Sequence, residues 1–166
     1  FIDDITIPAM DGHPLGATLF LPRGTKRHAV LINSATAVPR RLYRGFASYL
    51  AGRGCAVLTY DYRGIGGSRP KAMNGNERPP SLAGFNASMS DWAAQDITAA
   101  VSWMRERYKG LPFAYVGHSF GGQALGDLFT GGCCDRSCPS GQCRRRLHGC
   151  PLVRHGAMGE RTPPRA

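Results

Sequence analysis

Ser119 sits in the run Gly117-His118-Ser119-Phe120-Gly121-Gly122. A serine hydroxyl attacks a carbonyl carbon when a base takes its proton and hydrogen-bond donors hold the resulting oxyanion. The run follows an apolar stretch, Pro112 to Val116, and precedes a helical pattern, Gln123 to Phe129. Strand, G-x-S-x-G and helix in that order describe a nucleophile elbow, a turn tight enough to expose the serine at the carboxyl end of a sheet. A side chain at Gly117 or Gly121 would collide with the neighbouring strand or helix. The same turn leaves the Phe120 backbone N–H free to donate to an oxyanion. Ser119 is therefore the candidate nucleophile, Phe120 the first oxyanion donor, and Gly117 and Gly121 the elbow glycines.

Two more segments accompany it. Ala29-Val30-Leu31-Ile32-Asn33-Ser34-Ala35-Thr36 is a buried strand running into a small-residue loop. Thr59-Tyr60-Asp61-Tyr62-Arg63-Gly64-Ile65-Gly66-Gly67-Ser68 is a strand followed by a D-x-R-G-x-G-x-S loop. With these motifs in this order, residues 3 to 129 resemble the α/β-hydrolase family, closest to its serine aminopeptidase (S33-like) branch of predicted bacterial hydrolases. The resemblance implies a serine hydrolase acting on an ester, amide or thioester through an acyl-enzyme. It also implies Ala35 as the second oxyanion donor, through its N–H. Asn33-Ser34 departs from the H-G of family members, so Ser34 stands as the alternative donor. Asp61, Arg63 and Ser68 are expected to be structural, held by local hydrogen bonds. No metal or organic cofactor is implied.

In this fold the acid and then the histidine of the triad follow the nucleophile. Only 47 residues follow Ser119, and one βαβ unit needs about 30. The later histidines, His148 and His155, and the later acids, Asp127, Asp135 and Glu160, lie in no family-like motif. The alternative reading is a catalytically incomplete hydrolase fragment lacking the triad acid and histidine. The motifs leave the activity of the chain itself open. His118 is expected to be a packing residue, and His13 and His28 structural.

The elements that must carry these residues are legible as periodicities. Ile5 and Ile7 alternate with polar residues, Gly16 to Leu21 returns after the Asp11-Gly12 turn, and His28 to Ile32 and Cys55 to Tyr60 are near-continuous apolar runs. These read as half-buried and doubly covered strands respectively. A helix opens at Pro39 with Leu42, Phe46, Tyr49 and Leu50 predicted on its buried face, and ends at Gly52 and Gly54. A second, capped by Ser90 or Asp91, places Trp92, Ile97, Val101, Met104 and Tyr108 on one stripe. Residues 61 to 88 form a long Gly-, Pro- and Asn-rich connection. The fold class is α/β, the N-terminal half of a doubly wound, mostly parallel hydrolase sheet.

Composition changes sharply near residue 130. All 15 aromatic residues lie at or before Phe129, and five of six cysteines lie between Cys133 and Cys150. Gly, Pro, Cys and Arg make up 22 of residues 131–166, which hold seven arginines and no lysine. Such a segment buries too little apolar surface to offset the cost of ordering it. Residues 1–130 are read as the hydrolase core, truncated, and 131–166 as a disordered tail, an off-frame or chimeric continuation. A second reading frame that restores hydrolase-like sequence after about Gly126 would be its sign. The formal charge of +10 divides equally between core and tail. No C-x-x-C pair supports a zinc site, and no aromatic platform accompanies the tail arginines, so nucleic acid is not an expected partner. No apolar run approaches the roughly 18 residues of a membrane span, and no signal peptide is visible, so a cytoplasmic location is expected. The expected partner is a small acyl substrate. The elbow strand, without an outer neighbour, would offer an open edge for self-association.

Overall fold

The computed structural model describes residues 1–70, 82 and 85–124. The tail, His148, His155, Asp127, Asp135, Glu160 and most of the connection before Phe85 lie outside the described residues. So do residues 125–129 of the helix expected after the elbow.

Five strands form one mixed sheet in the order β1-β2-β4-β3-β5. They are β1 (Ile2–Pro8), β2 (Pro14–Phe20), β3 (His28–Asn33), β4 (Cys55–Tyr60) and β5 (Phe113–Gly117). β1 and β2 are an antiparallel hairpin, with Ile5 opposite Ala17, and β2 runs antiparallel to β4. β3 lies parallel to both β4 and β5, with Leu31 level with Leu58 on one side and with Tyr115 on the other. Each strand expected from the pattern is present, and the four whose ends were given are shifted by at most two residues. Among the described residues, β5 has no strand on its outer side.

Side-chain alternation along β3 builds two cores. Ala29 and Leu31 face a core with Leu58, Tyr60, Ile97, Ala100 and Met104. Val30 and Ile32 face the opposite one, with Phe20, Val57, Ala47 and Ala51. A strand covered on both faces has no polar position to spare, which is why His28 to Ile32 reads as an unbroken apolar run.

A 3-10 turn, Arg40–Tyr43, leads into α1 (Arg44–Gly52). The expected buried face of this helix is corrected. Leu42, Phe46 and Tyr49 are exposed by 66%, 46% and 56%, and the helix buries Ala47 and Ala51 instead. Small residues let its backbone lie close against the sheet, leaving the larger side chains on the outer flank. Arg53 covers part of that flank, with its guanidinium 4.6 Å from the Tyr49 ring centre. Only Leu50, of the four residues expected to be buried, packs against the core.

On the other face, α2 (Met89–Asp91) passes through a π-helical turn, Trp92–Ile97, into α3 (Thr98–Arg107). The N-cap is Ser88, upstream of the expected Ser90 or Asp91: its hydroxyl accepts from Asp91 N–H while the Asp91 carboxylate takes Ser88 N–H. This reciprocal pair satisfies two donors that a helix start leaves open. Ile97 and Met104 are fully buried, as their stripe requires, with Ala99 and Ala100 beside them.

The helix is tied to the sheet through charge. Asp96 is fully buried and receives Arg63 N–H at 2.9 Å and Arg63 Nε at 2.9 Å. Arg63 also clasps Asp11 in the β1–β2 turn, at 2.7 and 3.0 Å. Burial pushes the Asp96 carboxyl upward, against the pull of Arg63. The Arg63 hydrogen bonds hold Asp11 down at about 2. Removing one partner of a buried pair strands the other. Asp96→Ala is expected to cost about 3 to 5 kcal/mol in urea unfolding. Asp11 is depressed, so its contribution is present above the unfolded carboxylate value, about 3.9, and is lost as pH falls toward 2. The stability gap between wild type and Asp11→Asn should therefore close between pH 4 and 2.

Candidate active site

Ser119 ends the turn between β5 and the helical residues 120–124. Its backbone is left-handed, with φ at 51°. Among the described residues the only other non-glycine with positive φ is Ala37, at 61°. One lies in the elbow and the other in the loop after β3. Left-handed backbone costs an L-residue about 1–2 kcal/mol, and such strain concentrates at functional sites.

Neighbouring backbone holds the turn in place. His118 N–H donates to Asn33 O at 3.1 Å, and Gly122 and Gln123 N–H both donate to Ser119 O, at 2.8 and 3.0 Å. A Cβ at Gly117 would stand 2.5 Å from Gly122 N, and one at Gly121 would stand 2.6 Å from Asn33 O. Neither position has room for a side chain. Tyr115 on β5 closes the far side, its hydroxyl donating to Gly121 O at 2.6 Å.

Phe120 points inward while Ser119 is exposed. Its ring meets Trp92 and Tyr62 edge-on, each with centres 5.7 Å apart. Trp92 stacks on Tyr62 at 5.1 Å and donates its Nε1–H to Arg63 O at 3.2 Å. The aromatic lock under the elbow is thus anchored on the Arg63–Asp96 pair. The Phe120 N–H has no acceptor among the described residues. Neither has the Ser119 hydroxyl a partner there.

The second expected oxyanion donor is placed differently. The Ala35 N–H is already engaged, donating to the Tyr43 hydroxyl at 3.0 Å. The same hydroxyl lies 2.9 Å from His118 Nδ1. His118 is corrected from a packing residue to an exposed one, its ring set edge-on to Tyr43 with centres 6.1 Å apart. Tyr43 is the residue that sequence reasoning missed: it lies eight positions beyond Ala35, outside every motif. The alternative donor, Ser34, is buried, its Oγ has no partner among the described residues, and its carbonyl takes the Tyr62 hydroxyl at 3.0 Å. Asn33 is buried too. Its Oδ1 takes a short hydrogen bond from Tyr60, and its Nδ2 has no partner among the described residues. Burial drives both tyrosine hydroxyls far above the usual range, so they remain neutral donors.

Asp61, Arg63 and Ser68 are structural, as expected, yet their bonds are not all local. Asp61 accepts Gly67 N–H at 2.8 Å within its own loop, but also Arg40 N–H at 2.6 Å and the Arg40 guanidinium in a short ion pair. Ser68 Oγ donates to Asp61 O at 2.6 Å and accepts Gly16 N–H at 2.9 Å from β2. Arg63 reaches 33 and 52 positions away. His13 Nε2 stands 3.2 Å from Ser68 O, a structural place, while His28 is exposed at the start of β3.

The sequence matches the family model for serine aminopeptidase S33 over residues 24–128. The chain belongs to this hydrolase family. The S33-family sheet also superimposes on solved α/β-hydrolases. A lidless α/β serine hydrolase from Xanthomonas campestris is 16% identical, with a TM-score of 0.58 over 78% of this chain and 56% of that one. A thermostable carboxyl esterase from Bacillus coagulans is 17% identical, with 0.58 over 74% and 38%. A Pyrococcus furiosus esterase is 19% identical, with 0.55 over 75% and 42%. At these identities the likeness is one of fold. The S33-family chain spans about half or less of the length of these relatives. No match was found among curated proteins. No helix among the described residues is long and apolar enough to cross a membrane.

If strain at position 119 belongs to the elbow, Ser119→Gly should be more stable than Ser119→Ala by about 1 kcal/mol, since only the alanine keeps a Cβ in the left-handed region. Parallel thermal unfolding of the two variants measures this. Gly121→Ala, pressed against Asn33 backbone, should lose about 1–3 kcal/mol.

Proposed function

We propose that the chain carries the nucleophile half of a serine hydrolase acting by acyl transfer, with Ser119 as the attacking residue. The left-handed Ser119 in an exposed turn supports this reading most directly. The Ser119 side chain itself is exposed and has no hydrogen-bond partner among the described residues, so nothing at that side chain offsets the strain. In the reaction, Ser119 Oγ adds to the carbonyl carbon of the substrate and gives its proton to a base. The tetrahedral oxyanion forms beside the unengaged Phe120 N–H. Collapse of the adduct expels the alcohol, amine or thiol and leaves an acyl-serine, which water hydrolyses.

An ester is the favoured substrate class, because two of the structural relatives above are described as esterases. Amides and thioesters share the same addition step.

A second reading is a hydrolase piece without its triad acid and histidine. It is favoured by the Ser119 hydroxyl, which has no partner among the described residues, and by His118, whose Nδ1 faces Tyr43. Labelling with a fluorophosphonate probe separates the two. Labelling of wild type, abolished in Ser119→Ala, is the expected result. Folded protein that stays unlabelled would sink the nucleophile reading for this chain and leave the second.

A further inference from the structure

We propose that the Tyr43 hydroxyl is a member of the oxyanion site, donating to the oxyanion in place of the Ala35 N–H. The proposal rests on Ser119 being the nucleophile. Ala35 N–H is spent on Tyr43 Oη at 3.0 Å. A substrate oxygen cannot take that N–H without first displacing the phenol. The phenol has one proton to give and two lone pairs to receive with. One lone pair accepts Ala35 N–H. When His118 carries its proton on Nδ1, 2.9 Å away, the second lone pair accepts that N–H. Both acceptor positions are then filled and the O–H is released outward. Two donors on one oxygen polarise its remaining O–H and make it a stronger donor. Tyr43 keeps its proton throughout, and no bond is made or broken at the phenol.

The placement is supported as a catalytic donor needs to be. Tyr43 ends the 3-10 turn Arg40–Tyr43. That turn is clamped at its start, where Arg40 N–H and guanidinium both bond Asp61, itself 1% exposed. At its other end the hydroxyl bridges the loop after β3 to His118, the residue immediately before Ser119. The ring is half-buried between the two. The D-x-R-G-x-G-x-S loop thereby acquires a purpose: through Asp61 it fixes the turn that carries the phenol.

The test compares fluorophosphonate labelling rates of wild type and Tyr43→Phe, with Ser119→Ala as the blank and near-ultraviolet circular dichroism as the check on folding. Loss of one oxyanion donor should slow labelling about 10²-fold, with the adduct still on Ser119. An unchanged or faster rate would mean that the freed Ala35 N–H is itself the donor, and would overturn the proposal alone. Wild type that is folded yet never labels overturns the nucleophile reading and this one with it. Should Tyr43→Phe fail to fold, 3,5-difluorotyrosine at position 43 keeps ring and hydroxyl while ionising below an ordinary tyrosine, about 10. A phenolate cannot donate. Labelling by the fluorinated protein should then fall severalfold relative to wild type as pH rises through its ionisation. The groups facing the phenol, His118 on the elbow and Tyr62 after β4, are common to both proteins. A ratio that stays flat with pH overturns the proposal.

Discussion

The approach of Gly121 to the Asn33 backbone governs the rest of the molecule. At that distance a single methyl group cannot be admitted. The contact brings the elbow against the end of β3, lets His118 N–H reach Asn33 O, and sets the loop after β3 beside the serine. Everything nearby serves to hold this seam shut. Tyr115 seals one side, the Phe120–Trp92–Tyr62 cluster fills the space below, and Tyr60 and Tyr62 reach up to Asn33 and Ser34 from the adjacent strand and loop.

Two ionic clamps then attach this seam to the rest of the sheet. Arg63 joins the β1–β2 turn to the helical layer through Asp11 and Asp96. Arg40 joins the turn before α1 to the loop after β4 through Asp61. Charges this deep are costly to desolvate, so a merely well-packed protein would have little reason to keep them. Here each cation ties segments that no strand pairing connects directly, and each lies one step away from a residue of the elbow or of its facing loop. Asn33 Nδ2 and Ser34 Oγ, without partners among the described residues, lie at the same seam. Buried polar atoms without partners are rare in folded proteins.

Local patterns revealed the strands and the elbow because those depend on neighbours in the chain. Doubly covered strands leave unbroken apolar runs, and a turn this tight leaves glycines at Gly117 and Gly121. The buried side of α1 was not legible for a physical reason. Hydrophobicity ranks Leu42, Phe46 and Tyr49 above Ala47 and Ala51, but close packing against a sheet rewards small size. The partners of Arg63, Asp61 and Ala35 were hidden differently. They come from 8 to 52 positions away, and no periodicity reports which hydroxyl or guanidinium will meet which amide. Motif knowledge pointed to Ala35 as an oxyanion donor. It was silent on the phenol occupying its N–H, because Tyr43 belongs to no motif.

The π-helical turn at Trp92–Ile97 bears on how this chain tolerates length change. Such a turn is a helix that has accommodated one surplus residue without ending. Deleting one residue there would leave a helix of ordinary pitch, so the backbone itself would absorb the loss. The orientation of the preceding turn would not survive. Each residue of an α-helix advances about 100° around the axis, enough to swing Trp92 off the face of Tyr62 while Ile97 and Met104 keep their places. The surplus residue thus acts as a phase adjuster, letting one helix serve the core with its later turns and the underside of the elbow with its first.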